Sequence, residues 1–151
     1  MTRSAIDNSN AKQTVTQIVG ELLREGAPET IAPLSPDSEV AVTEYACTHG
    51  LAGLLQHAIT ERGLKFTDAN RKKLAESAAQ IAARNLHLRH HLERIAKRLN
   101  DTGIDVMVLK GMALNHLIYD RLDLRPMTDV DLLFRADDIA PACRTLKEAG
   151  C

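Results

Sequence analysis

The sequence predicts an α+β protein that is mostly helical, with a helical region over residues 1–103 and α/β elements over 104–151. Two observations predict this class. Through most of the first hundred residues, apolar side chains recur every three or four positions, which is the period of an amphipathic helix. After Gly103 the pattern changes to short apolar runs of strand length, at Val106 to Leu109 and at Asp129 to Phe134.

The first three helices follow from local signals. Thr14 to Arg24 has helical spacing and is stopped by Gly26-Ala27-Pro28. Ser35-Pro36-Asp37 reads as an N-cap, a first-turn proline and an acid that favours the helix dipole, so a helix should run from there to about His49. Another helix is expected from Leu51 to Ile59, closed by Arg62-Gly63.

The next helix is predicted to be the longest and to end at Asp101-Thr102-Gly103. Its apolar positions alternate in steps of four and three, as in the contact seam of a coiled coil. Asn85 is the polar residue on this seam, and it is either a buried amide that fixes helix register or a ligand-binding group. The seam residues are Leu74, Ala78, Ile81, Asn85, Leu88, Leu92, Ile95 and Leu99.

The α/β region is predicted to begin with a buried strand, Val106 to Leu109, followed by a Lys110-Gly111 turn and a helix from Met112 to Ile118. Asp129 to Phe134 is the second strand. Asp138 is expected to cap a last helix that runs to Glu148, with Gly150 just past its end.

Composition excludes several classes of function. The chain has 44% hydrophobic and 26% charged residues and a net charge of −1, as in an ordinary soluble protein. Because there is no basic excess, binding to nucleic acid across a broad surface is not expected. The aromatic content is 3%, with no tryptophan, so platforms for base stacking are scarce.

The cysteines and the N-terminus point to a cytoplasmic protein. Cys47, Cys143 and Cys151 are far apart and odd in number, which indicates neither a disulfide framework nor a zinc site. The first ten residues lack the apolar stretch of a signal peptide, and no apolar run reaches the length of a membrane span. We therefore expect reduced thiols and no membrane partner.

Two carboxylates one residue apart, Asp129 and Asp131, are the leading candidate site. On a strand, residues i and i+2 face the same way, with about 6–7 Å between their Cα atoms. They could hold one hard divalent cation or bridge two. From spacing alone, the alternative is the solvent-facing side of an edge strand with Val130 and Leu132 buried.

Three further residues are candidates for phosphate binding. Lys110 offers a mobile positive charge, and Gly111 has no Cβ to obstruct a phosphate near the backbone. The alternatives are a surface lysine at the end of a strand and a simple strand-to-helix turn. Arg125 could form a two-pronged contact with a phosphate or with an aspartate. By contrast, we expect the histidines of the long helix to form a solvated polar face rather than a metal site; they are His87, His90 and His91.

Several of these motifs together resemble a known family. Leu109-Lys110-Gly111-x-Ala113-Leu114, Tyr119, and Arg125-Pro126-Met127-x-Asp129-Val130-Asp131-Leu132-Leu133 are similar to an uncharacterised nucleotidyltransferase family of the polymerase-beta-like superfamily. The stretch Ala46-x-x-His49-Gly50 also looks similar to that family's helical leader. The broader superfamily usually has Gly or Ser at the position of Met112, so Lys110 would carry more of the phosphate contact.

The resemblance implies a helical leader followed by the first α/β elements of a polymerase-beta-like nucleotidyltransferase core. It implies transfer of a nucleoside monophosphate from an NTP, with ATP the expected one, to an acceptor hydroxyl on a small molecule or protein. Asp129 and Asp131 would bind Mg²⁺ or Mn²⁺, while Lys110, Gly111 and Arg125 would bind the nucleotide. Such enzymes take a third carboxylate from a later strand. We therefore expect the chain to be a piece of a longer protein and to be inactive alone.

Two alternatives remain open. One is a non-catalytic interaction module in which the long alanine-rich helix packs against a partner, including a second copy of the chain. The other is a related phosphotransferase that moves the γ-phosphate, which the sequence does not distinguish from a nucleotidyltransferase.

Overall fold

A computed structural model of the chain describes residues 15–24 and 33–150. They fall into two compact units, one ending at Ile81 and the other beginning at Ala82. The predicted helix stop at Gly26 to Pro28 and the third cysteine, Cys151, lie outside the described residues. The division of the chain into residues 1–103 and 104–151 stays a prediction.

The described residues are mostly helical with one small sheet, which agrees with the predicted α+β class. The strands β1 (Met107–Leu109) and β2 (Asp131–Leu133) pair antiparallel. A π-helical turn, Asn115–Tyr119, continues α5, and a 3-10 turn, Ala136–Asp138, precedes α6. The helices are residues 15–23 (α1), Pro36–Thr48 (α2), Ala52–Glu61 (α3), Asp68–Asp101 (α4), Lys110–Leu114 (α5) and Ile139–Glu148 (α6).

Local signals account for the helix ends in the first unit. The backbone N–H of Ser38 donates to Ser35 Oγ at 3.2 Å, so the predicted N-cap of α2 is confirmed. Gly50 and Gly63 follow α2 and α3 with φ of 70° and 59°, a conformation that glycine adopts without steric cost. The helices enclose a core whose largest fully buried members are Leu22, Val42, Leu55, Ile59 and Leu74.

A buried carboxylate ties α2 to the start of α4 within this unit. Glu39 is 6% exposed and accepts three hydrogen bonds at 2.7 Å, from Thr67 N, Thr67 Oγ1 and Asn70 Nδ2. Burial alone would raise the pKa of Glu39, but the hydrogen bonds from Asn70 and Thr67 outweigh it and hold that pKa below its ordinary value. Glu39 therefore supplies the acceptor that the N-terminus of α4 needs.

The long helix α4 is confirmed and extends beyond the predicted seam at both ends. Leu74 and Ala78 are buried in the first unit, and Asn85 and Leu99 in the second. These seam positions thus pack against other parts of the same chain. Gly103, with φ of 75°, follows the end of the helix as predicted. A homo-oligomer formed through α4 stays a prediction.

Several elements of the second unit differ from the sequence prediction. The first strand, predicted as buried from Val106, begins at Met107, which is 60% exposed. The helix predicted over Met112 to Ile118 is α5 followed by the π-helical turn.

The second strand begins at Asp131, and Asp129 lies before it, because β1 has only three residues and its last residue, Leu109, already pairs with Asp131. Asp138 makes no side-chain capping bond. Its φ of −89° and ψ of −11° are helical, whereas a capping residue needs extended backbone.

The core of the second unit is small. Leu99 of α4, Ile104 and Ala142 of α6 are buried together, with Val106 and Phe134 packed against them. Gly150 ends α6 with φ of 83°, as predicted. Within the described residues, no helix has both the length and the apolar character that a membrane span requires.

Candidate functional site at the end of the two-stranded sheet

The turn after β1 places Lys110 in a strained conformation. Its φ is 48°, in the left-handed region that residues other than glycine rarely adopt, while Gly111 is not in that region. The chain therefore passes from β1 directly into α5 at Lys110, where a separate Lys-Gly turn was predicted, and the left-handed residue is the lysine. Strained backbone of this kind tends to occur where a side chain must be aimed at a ligand or partner.

The side chain of Lys110 is directed at Asp131. Lys110 Nζ lies 3.1 Å from Asp131 Oδ1, and the two side chains are 72% and 36% exposed. The strand register explains this contact, because Leu109 is the direct partner of Asp131 and Lys110 is the next residue. An exposed ion pair of this kind contributes at most about 1 kcal/mol, so a ligand can replace it at low cost.

Asp129 lies two residues before Asp131 and is exposed. Thr128 Oγ1 donates to Asp129 Oδ1 at 3.4 Å. Lys110 and Asp131 thus meet at one end of the sheet, and Asp129 lies two residues before that end. Because Asp129 is outside the strand, strand alternation does not by itself make the two aspartates face the same way. Exposed carboxylate oxygens suit Mg²⁺, which commonly binds one or two protein carboxylates and completes its shell with phosphate oxygens and waters.

Two carboxylates alone do not form a metal cage. In the part of the chain that the structure describes, no three or more His, Cys, Asp or Glu side chains are grouped so that they could hold a metal ion. A cation at Asp129 and Asp131 would therefore need further oxygen ligands from a nucleotide or from water.

Gly111 is in contact with a residue that the sequence did not single out for packing. A Cβ built on Gly111 would lie 3.3 Å from Met127 Cγ and 3.4 Å from Met127 Sδ. Met127 is 4% exposed. The absence of a side chain at Gly111 therefore lets Met127 pack on the turn, a role that is independent of phosphate binding.

Asn85 of α4 holds the segment that leads to the aspartates. It is fully buried, and its Nδ2 donates to the carbonyl oxygens of Leu122 and Arg125 at 2.6 and 2.7 Å. Its Oδ1 accepts from Met127 N at 3.1 Å. Of the two readings of this residue, the buried amide is therefore the observed one, and its partners are a loop rather than a second helix. Arg125 is half-buried, and its carbonyl oxygen accepts the hydrogen bond from Asn85 Nδ2.

A cavity of about 370 Å³ lies elsewhere in the second unit. Its lining includes Val108 of β1, Met112 of α5 and Leu92 of α4, with Arg89 and His116 among its polar groups. Successive side chains of a strand lie on opposite faces of the sheet, so the side chain of Val108 lies on the face opposite to those of Leu109 and its partner Asp131. Lys110, Asp129 and Asp131 are not among the residues that line the cavity. The cavity and the aspartate–lysine cluster are thus separate features.

Two of the histidines on α4 contact each other. His87 Nε2 and His91 Nε2 are 3.1 Å apart, and their rings meet edge to face. His87 and His90 are exposed and His91 is partly exposed. This arrangement agrees with the expected solvated face of α4.

The comparisons with known proteins identify the class of this chain as nucleotidyltransferase. Residues 37–151 match a family described as an uncharacterised nucleotidyltransferase. Because this match covers most of the sequence, the chain belongs to that family, as the resemblance of its motifs implied. The match also includes most of the helical region. Neither the curated proteins nor the solved structures that were searched gave a match.

Proposed function

We propose that the end of the sheet formed by Lys110, Asp129 and Asp131 binds a nucleoside triphosphate together with Mg²⁺ or Mn²⁺. The observation that carries this proposal is the 3.1 Å ion pair between Lys110 and Asp131. A strained, exposed lysine next to one exposed and one partly exposed carboxylate provides both signs of charge that a metal–triphosphate complex needs. The chemistry that a bound divalent cation supplies is charge neutralisation on the triphosphate and a lower pKa of the acceptor hydroxyl.

Each residue of the candidate site has its own role in this proposal. Asp129 and Asp131 would be the carboxylate ligands of the cation and would orient the reacting phosphate. Lys110 would exchange Asp131 for a phosphate oxygen when the nucleotide binds, since its side chain is long and largely exposed. Gly111 leaves the backbone of the turn open, and Arg125 would contribute a second positive charge to the phosphates.

The reaction we propose is transfer of the nucleoside monophosphate from an NTP, with ATP the expected donor, to a hydroxyl acceptor. Family membership supports this choice over the related transfer of the γ-phosphate. ATP labelled on the α-phosphate and ATP labelled on the γ-phosphate distinguish the two reactions. Label that reaches the acceptor from the α-position alone supports nucleotidyl transfer, and label from the γ-position alone contradicts it.

Binding can be measured before an acceptor is known. We expect calorimetry to detect ATP binding that depends on Mg²⁺ or Mn²⁺, and we expect Asp129→Asn and Asp131→Asn to abolish it without unfolding the protein. Asp105→Asn is a matched control, since Asp105 is an exposed carboxylate that pairs with Arg135 in the same unit. Unchanged ATP affinity in both site variants would contradict the proposal.

A further inference from the structure

Asn85 makes an unusually complete set of hydrogen bonds for a side chain on a helix seam. Both hydrogens of its amide nitrogen are used, on the carbonyl oxygens of Leu122 and Arg125, and its oxygen accepts from Met127 N. The partners lie 37 to 42 residues further along the chain. The side chain is fully buried, so a variant that lacks the amide leaves these backbone groups without the partner that the fold provides.

The hydrogen-bonding groups around residue 85 explain why an amide side chain occupies this position. Two carbonyl oxygens need donors and one N–H needs an acceptor, within reach of a single side chain. Aspartate has no donor when ionised, serine has one, and leucine has neither. Among side chains of this size, asparagine alone supplies two donors and an acceptor at once.

Residues 122–127, whose backbone groups contact Asn85, end next to the candidate site. Asp129 follows Met127 by two residues and precedes β2, so it has no strand partner of its own. Asp131 is held from the other side, through its pairing with Leu109. The side chain of Met127 is held in addition by the turn at Gly111. Asp129 therefore lies between the backbone that Asn85 contacts, which ends at Met127, and the start of β2.

We infer that Asn85 is a positioning residue for the carboxylates, acting through the backbone of residues 122–127. This inference rests on the proposed function, because it concerns the site that we assign to metal and nucleotide. It adds a residue of the long helix to a site whose candidate residues all lie in the α/β elements. The helix α4 is thereby part of the support of the site as well as of the core.

Two substitutions test this role. Asn85→Asp has nearly the same shape but removes both donors, while Asn85→Ser is smaller and leaves room for a water molecule. Asn85→Ser carries the test if the aspartate variant does not fold. Leu99→Ala is the matched control, because Leu99 lies on the same helix seam and is fully buried in the same unit but makes no hydrogen bond to residues 122–127.

Two quantities are measured on each folded variant, at a temperature where all are native. Amide hydrogen exchange over residues 121–131 reports how firmly the segment is held, without any ligand. Calorimetry with Mn²⁺ and ATP reports affinity. We expect both Asn85 variants to exchange faster over 121–131 and to bind at least tenfold more weakly, while Leu99→Ala changes neither beyond its general loss of stability.

The outcomes separate the two proposals. If the wild type binds Mn²⁺ with ATP and the Asn85 variants bind equally well, the positioning role is wrong and the proposed function stands. The positioning role is also wrong if amide hydrogen exchange over residues 121–131 rises no more in the Asn85 variants than in Leu99→Ala. If the wild type binds no ATP with either cation, the proposed function fails, and the positioning role fails with it.

Discussion

Lys110 Nζ and Asp131 Oδ1 are 3.1 Å apart, and this ion pair joins the strained turn after β1 to the first residue of β2. The lysine places its positive charge against one of the two carboxylate oxygens of Asp131, so a metal ion at Asp131 would have to compete with it. Removal of the lysine should therefore change the affinities for a free metal ion and for a nucleotide in opposite directions. The metal ion competes with the lysine for Asp131, whereas the nucleotide binds to the lysine.

We expect Lys110→Met to weaken ATP binding by about 1.5–3 kcal/mol, the free energy of a hydrogen bond to a charged group. In the absence of nucleotide, the same variant should bind Mn²⁺ at least as tightly as the wild type, because Asp131 no longer has a competing cation. Calorimetry with each ligand measures both effects.

The control for this variant is His87→Ala, which removes an exposed side chain from α4. We expect its ATP affinity to equal that of the wild type. An equal loss of ATP affinity in His87→Ala and Lys110→Met would move the nucleotide site to the helical region.

Asp129 and Asp131 should also make thermal stability depend on metal and nucleotide. A ligand that binds only the folded protein stabilises it by about 2.7 kcal/mol at a concentration of 100 times its Kd. Mg²⁺ with ATP should therefore raise the melting temperature of the wild type and leave that of Asp131→Asn unchanged. A melting temperature that rises equally in both proteins would show that the ligand binds elsewhere.

Gly111 and Met127 should be energetically coupled, because a Cβ at residue 111 would lie 3.3 Å from Met127 Cγ. Overpacking of this kind usually costs about 1–3 kcal/mol. We expect Gly111→Val to lower the free energy of unfolding, and to lower it less in a Met127→Ala background than in the wild type. Urea unfolding of the four proteins measures the coupling.

The same double variant separates the two roles of Gly111. If the glycine serves only to accommodate Met127, Gly111→Val leaves ATP affinity unchanged in a Met127→Ala background. If the backbone of the turn must also approach a phosphate, Gly111→Val weakens ATP binding in that background too.

Glu39 should make the first unit sensitive to acid. Its pKa is lowered in the folded protein, so its contribution is complete above the ordinary glutamate pKa of about 4.3 and is lost as the pH falls through the folded value. Glu39→Gln should lower the free energy of unfolding by about 1 kcal/mol at pH 7, since a charged acceptor is replaced by a neutral one.

The difference between the wild type and Glu39→Gln should shrink as the pH is lowered below about 4.3, which unfolding by urea at several pH values measures. Glu44→Gln is the control, because Glu44 is exposed and pairs with the exposed Lys73 on the surface. We expect the free energy of unfolding of Glu44→Gln to stay within about 0.5 kcal/mol of that of the wild type. If the difference in free energy of unfolding between the wild type and Glu39→Gln grows toward acid pH, the pKa of Glu39 is raised in the folded protein and the assigned direction is wrong.

The short-range features of this protein follow from its sequence alone. Ser35 caps α2, Gly103 follows α4, and Gly150 follows α6, as predicted. The apolar period of the long helix and the order of the Lys-Gly and Asp-x-Asp motifs are also visible without a structure, and the motifs led to the correct family. Such signals involve residues a few positions apart, so local backbone chemistry decides them.

Tertiary structure decided the partners of these residues. The seam position of Asn85 indicated a buried amide, but not that it would hold backbone groups near Met127, 42 residues away. The contact between Gly111 and Met127 and the ion pair between Lys110 and Asp131 also join separate segments. Sequence spacing carries no information about which of two distant segments will meet, because that depends on strand register and on packing of the whole unit. The same reason explains why Asp129, which shares the predicted strand with Asp131, lies before the paired residues in the folded chain.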